Sequence, residues 1–263
     1  MSIQRHPIIA IAAIVLVLLA SIALAVSHHE HSSTAPATSE GTETTPASRP
    51  GNTAEVPGVD LNGNLLELTG SDTGQALPQN PAARPDPRSP GYLSAPPAGL
   101  EWQRGWRGAA LPVSRSDGPE RIRDGVASGF AHTPQGAGLA ACDAIARAVA
   151  APEGIWQNVI RERYLGGGQA LIDRFARNRA QTPDAAQYLI VPDGIRILNS
   201  YRPEFAVVQI AVAARDGWVS SSWSMTWHDN DWRVQVPADI DTLWQPALPV
   251  ATITDFGQWK GIS

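Results

Sequence analysis

From residue 8 to residue 26 the chain holds 19 consecutive positions without a charge, and Ser21 is the single polar side chain among them. At about 1.5 Å of rise per residue, a helix of that length spans a hydrocarbon core of about 30 Å. Arg5 and His6 precede the stretch, and no Lys or Arg follows it until Arg49. The bias of positive charge toward the cytoplasmic side then predicts a cytoplasmic tail over 1–7, a transmembrane helix over 8–26 and everything later outside. Ala23-Leu24-Ala25 also fits the small-x-small pattern of a cleaved signal peptide. Signal peptides have apolar regions of about 7–15 residues, so the length favours a retained anchor. Both readings put the rest of the chain outside the cytoplasm, and the lack of a cysteine there excludes a lipid-modified N-terminus.

Patterning lapses after Val26. Residues 27–98 carry eleven prolines among Ser, Thr, Gly and Ala, with few large apolar side chains. Such a stretch buries too little surface to offset its ordering entropy and reads as a disordered tether. Its one apolar island, 56–69, reads as a transient or partner-dependent element, the alternative being a short helix docking elsewhere on the protein. Residues 99–132, with Trp102, Trp106 and Phe130, read as an irregular arm packing on a domain over 133–263.

In that domain Thr133 is a good N-cap and Pro134 suits the first helical position. A helix is predicted to about Ala150, stopped by Pro152, and its many small residues allow close approach of a neighbour. A second helix is predicted over 152–164, where Ile155, Trp156, Val159 and Ile160 share one face, and a third over 169–180 after the Gly166-Gly167-Gly168 break. The period then changes to two. Segments 187–200, 204–215, 218–229 and 232–237 read as four strands joined by turns such as Asp216-Gly217 and Asp229-Asn230-Asp231. The expected class is therefore α+β: three helices packed on a curved antiparallel sheet of about four strands. The architecture expected is a cone of the nuclear-transport-factor-two/cystatin-like kind.

Charge narrows the function. Residues 27–98 have a net charge of −5 and residues 99–263 a net of −1. A near-neutral domain lacks the broad positive field needed to hold phosphate backbones, so direct nucleic-acid binding is not expected. With the single cysteine Cys142, no intramolecular disulfide can form and the fold must stand on its core. Six of the nine tryptophans lie from Trp218 onward, which fits a packed β-rich C-terminal half.

Candidate chemistry is sparse. His132, Asp143, Asp173 and His228 are the groups that could act as a general base in a cavity. Cys142 lies mid-helix among alanines, the ordinary place for a buried structural thiol. His28, His29, Glu30 and His31 could bind a transition metal, as could the acids beside His228, but nothing fixes ligand geometry at either place. No phosphate loop, nucleophile elbow, zinc-protease or dinucleotide motif occurs. No enzymatic activity and no cofactor are expected.

Gly129-Phe130-Ala131-His132-Thr133-Pro134, followed by Gly136-Ala137-Gly138-Leu139-Ala140-Ala141, resembles the signature of an uncharacterised actinobacterial membrane-protein family. Its members are often encoded beside the conjugation genes of integrative and conjugative elements. Leu111-Pro112-Val113, Gly118-Pro119, Ile160-Arg161-Glu162 and the closing Trp259 resemble further parts of that pattern. The layout is also similar to the single-pass scaffold subunits of type IV secretion machines. These resemblances imply a non-enzymatic scaffold of a cell-envelope assembly for DNA transfer, with other transfer-machine subunits or further copies of itself as partners. The residues expected to meet a partner are Trp102 and Trp106 of the arm, with Arg174 and Arg177 of the third helix. The alternative is a small-molecule-binding or enzymatic cone whose apolar cavity is lined by Trp223, Trp227 and Trp232. A scaffold should have a filled cone and an exposed apolar patch. A binder should have an open pocket with convergent polar groups.

Overall fold

The computed structural model of the protein describes residues 58–261. The expected cytoplasmic tail, the apolar segment 8–26, the histidine cluster and the first part of the tether lie outside the described residues. Among the described residues no helix is long and apolar enough to cross a membrane.

Three helices form the first layer: α1, Pro134–Ala150, α2, Ile155–Arg163, and α3, Gly168–Gln181. Thr133 starts α1 as its sequence requires, with Oγ1 accepting from the Gly136 N–H at 3.0 Å. Helix α1 is buried along nearly its whole length, which its alanines and glycines permit. A Cβ on Gly138 would lie 2.6 Å from the Trp259 ring, so glycine is what lets that ring lie on the helix.

The second layer corrects the expected sheet. It is six-stranded and mixed, with order β7 (Tyr164–Leu165), β11 (Asp231–Gln235), β10 (Gly217–His228), β9 (Phe205–Ala214), β8 (Gly194–Ile197), and with β12 (Leu248–Val250) also paired to β10. Strand β7 pairs β11 in parallel, and the other pairings are antiparallel. A simple antiparallel meander of about four strands, and the cone expected from it, do not describe this. Two short strands account for the difference. β7 is two residues long and begins at the C-cap of α2, where Tyr164 turns extended, so no periodicity announces it. β12 is Leu-Pro-Val in a proline-rich tail, and proline is tolerated there because it sits at a sheet edge.

Residues 58–98 correct the expected tether. They begin with the hairpin β1 (Gly58–Val59) and β2 (Leu65–Leu66), and Leu66 is fully buried. The rest runs over the domain as an extended strap whose main chain is held by side chains of the domain. Gln103 bonds Gln75 at both its N–H and its carbonyl, Gln135 donates to the carbonyls of Tyr92 and Ala95, and Trp259 Nε1 donates to the Ser94 carbonyl. The carboxylate of Asp60 caps its own turn and accepts the Val191 N–H at 2.8 Å. Low apolar content thus does not stop a segment from ordering when its backbone groups have fixed partners.

The arm is also structured, as hairpins β3 (Glu101–Arg104) with β4 (Ala110–Val113) and β5 (Arg121–Arg123) with β6 (Val126–Ser128). Two buried ion pairs fasten it. Arg147 of α1 meets Asp143 at 2.7 Å and donates to the carbonyls of Thr73 and Gly125. Arg163 meets Asp231 at 2.6 Å, and Asp231 also accepts the N–H groups of Gly129 and Phe130.

Candidate functional site

Strand β10 is the longest of the sheet, and one of its edges is taken by β9 from Gly217 to Thr226. The other edge is divided. Met225 to His228 pair with β11, and Trp218 to Ser220 pair with β12. Residues 221–224 have no partner strand on that side among the described residues. The chain between β11 and β12 swings outward through a 3-10 turn, Ile240–Trp244, before returning to the sheet.

Behind this break lies a cavity of about 490 Å³. That volume is in the usual range for small-molecule sites, about 300–1,000 Å³. Its floor is formed by Cys142, Ile145 and Ala146 of α1, and its sheet wall by Ile210, Val212 and Trp223. Leu243, Pro246 and Leu248 form the outer rim. The polar groups are Ser220, Ser221, Ser222, Ser224, Gln235, Thr242 and Gln245, and no lining side chain carries a charge. Small residues leave the space: serines occupy strand positions where large side chains would fill it, and Ala110 and Ala146 do so opposite.

Three groups at the cavity have unusual surroundings. Burial, with a smaller push from Asp143, raises the Cys142 thiol to about 12, so it is a neutral thiol at physiological pH. Ser221 Oγ accepts the indole N–H of Trp223 at 3.1 Å. Ser220 is buried, and its hydroxyl has no hydrogen-bond partner among the described residues. The rim is clamped from outside: Trp244 packs edge-on against Phe175 with ring centres 5.0 Å apart. Arg174 lies over the Trp244 ring at 4.6 Å and donates to Asp241 at 2.7 Å.

The residues singled out from the sequence are thus dispersed. Trp223 lines the cavity. Trp227 and Trp232 do not: they close the far end of the sheet, where Trp227 stacks on His132 at 4.0 Å and Trp232 donates to the Ala131 carbonyl. Trp102 is no exposed docking residue, since it is 3 % exposed, donates to the Trp259 carbonyl and reaches the cavity wall. Trp106 is buried beneath the Arg147 guanidinium. Arg174 serves the rim clamp, and Arg177 is exposed on α3. Among the candidate bases, Asp143 is buried against Arg147, His132 meets the Pro203 carbonyl, Asp173 holds Gln169 and His228 faces Asp229. None of the four lines the cavity. Asp231 is committed to Arg163, and no group of three or more His, Cys, Asp or Glu able to hold a metal occurs among the described residues.

Residues 67–259 match a domain of unknown function, DUF8175. The chain belongs to this family. No curated protein and no solved structure matches the chain. The DUF8175 match takes in every residue lining the cavity, and also the strap from residue 67 onward. The strap is therefore part of the DUF8175 domain rather than a leader to it. What the sequence offered as a signal of the cavity was a serine, Ser221, on the core face of a strand, opposite a helix of alanines and glycines.

Proposed function

We propose that this DUF8175 protein is a binding module, held outside the cytoplasm by the apolar segment 8–26, that takes a small uncharged ligand into the cavity between α1 and β10. The observation that carries this reading is the cavity itself: about 490 Å³, apolar on most sides, with neutral polar groups converging at one strand. Charged ligands fit it poorly, because an ion there would lose its hydration without gaining a counter-charge. Catalysis is not part of the reading, since no acid or imidazole lines the cavity.

The test is a fluorescence titration of residues 58–263 with the neutral probe N-phenyl-1-naphthylamine. Saturable one-site binding is expected, with affinity lowered at least about tenfold by Ala146→Phe, which fills the floor, and unchanged by Trp227→Phe. Binding that does not saturate, or that Ala146→Phe leaves intact, contradicts the reading.

A second reading, docking of other envelope transfer-machine subunits, is favoured by one observation. Val59, Leu61 and Leu65 are 60, 51 and 48 % exposed on the β1–β2 hairpin. Clustered exposed apolar side chains of this kind mark interaction surfaces. Tagged full-length protein from its native host should then recover those subunits, and Leu61→Ser with Leu65→Ser should lose them. Recovery of a clean monomer contradicts this second reading.

A further inference from the structure

We infer that the ligand is a short, extended, uncharged peptide segment that adds to the free edge of β10 at residues 221–224. The inference rests on the cavity being a binding site and names what it binds. Strands β11 and β12 are both antiparallel to β10 and, with β9 occupying the opposite edge, lie on the same side of it. They form one interrupted neighbour, and the interruption is four β10 residues long, about 13 Å at the usual strand rise. Alternate residues of a strand direct both N–H and C=O toward one side. Ser222 therefore offers a donor and an acceptor to the gap and Ser224 its N–H, since the Met225–Val234 pairing takes the Ser224 carbonyl; another extended main chain has the spacing to meet them. Backbone groups left without partners beside an apolar cavity are costly, so a ligand that pairs with them gains more than one that only fills space.

The walls say what else the ligand carries. No charged side chain lines the cavity, so a free carboxylate, phosphate or ammonium has no counter-ion there. Fatty acids, nucleotides and peptide termini are thereby disfavoured, and an internal or blocked peptide segment is not. Side chains of an added strand alternate, so one of three consecutive residues would enter among Ile145, Ile210, Val212 and Leu243 while its neighbours face away. A branched apolar residue suits that position. Peptide recognition by strand addition depends on such a pairing edge together with a pocket for alternate side chains. Here the edge lies between two strands of the sheet rather than along its outside.

The experiment is calorimetric titration of the full-length protein in lipid nanodiscs, with empty nanodiscs as the blank. The probes are acetyl-Ser-Val-Thr-amide and the same peptide methylated on the serine and threonine nitrogens, which face β10 when the valine side chain enters the cavity. The inference expects the first peptide to bind and methylation to weaken it about tenfold or more, through loss of at least one hydrogen bond to β10 and the clash of the methyl groups with that strand. The ligand-side change leaves the protein's folding untouched. Equal binding of the two peptides overturns strand addition. So does failure of both peptides when N-phenyl-1-naphthylamine still binds the cavity, and then the cavity reading stands alone. If neither the peptides nor the naphthylamine bind, both readings fall.

Discussion

Arg163 is 4 % exposed at its side chain, and everything it donates to is internal: Asp231 and the Trp232 carbonyl. Removing one partner of a buried pair leaves the other charge without compensation, at a cost of about 3–5 kcal/mol. Asp231 would keep the Gly129 and Phe130 N–H groups, so Arg163→Met should cost about 3 kcal/mol in urea unfolding, at the lower end of that range. A loss below about 1 kcal/mol, the level of an exposed pair, would contradict this account of the arm's attachment. Cys142 gives the pH counterpart. Its thiol is raised to about 12 in the fold by burial, whereas an unfolded thiol ionises near 8.5. The native state therefore holds the proton more tightly. This contribution is full below about pH 8.5 and is lost as pH rises toward the folded value. Cys142→Ala should flatten the alkaline decline in stability between about pH 8.5 and 10, compared with the parent chain. Identical alkaline slopes would contradict the buried thiol. At this scale the sequence was partly legible. Thr133 and Pro134 announce the start of α1 because capping is a local interaction. That Trp102 and Trp106 pack on the domain was legible in outline, but not that they are too buried to meet a partner, because this depends on Trp259 and Arg147, which are distant in the chain.

At the scale of elements, the strap and the rim matter most. Composition alone cannot tell a solvated proline-rich coil from an extended strap, since both avoid helix and both lack apolar periodicity. What distinguishes them here are single side chains in the domain, Gln103, Gln135 and Arg147, whose donors and acceptors meet the strap's backbone. A chain beginning at residue 58 should therefore unfold cooperatively by calorimetry. One beginning at residue 99 should lose that transition or show it lowered by 10 °C or more, as expected for several kcal/mol in a domain of this size, about 2–4 °C per kcal/mol. Equal transitions in the two chains would restore the reading of 58–98 as a tether. The rim was illegible for a different reason. It arises from two registers on one edge of β10, set by β11 and β12 with the outward excursion between them, and strand periodicity carries no information about which partner a strand edge finds.

The described residues form a mixed sheet covered on one face by three helices, bound around by a strap and open at the cavity where β10 lacks a neighbour. Four of the nine tryptophans fall into two groups with different work. Trp227 and Trp232 close the end nearest His132, whereas Trp223 and Trp102 reach the cavity. Binding at the cavity should thus be felt by one group alone. The most direct measurement is fluorine NMR of residues 58–263 carrying 5-fluorotryptophan, each resonance assigned by Trp→Phe substitution, titrated with N-phenyl-1-naphthylamine. The account predicts saturable shifts for Trp102 and Trp223, with the resonances of Trp156, Trp227 and Trp232 unmoved. Shifts centred on Trp227 and Trp232, or no saturable shift at Trp223, would contradict it.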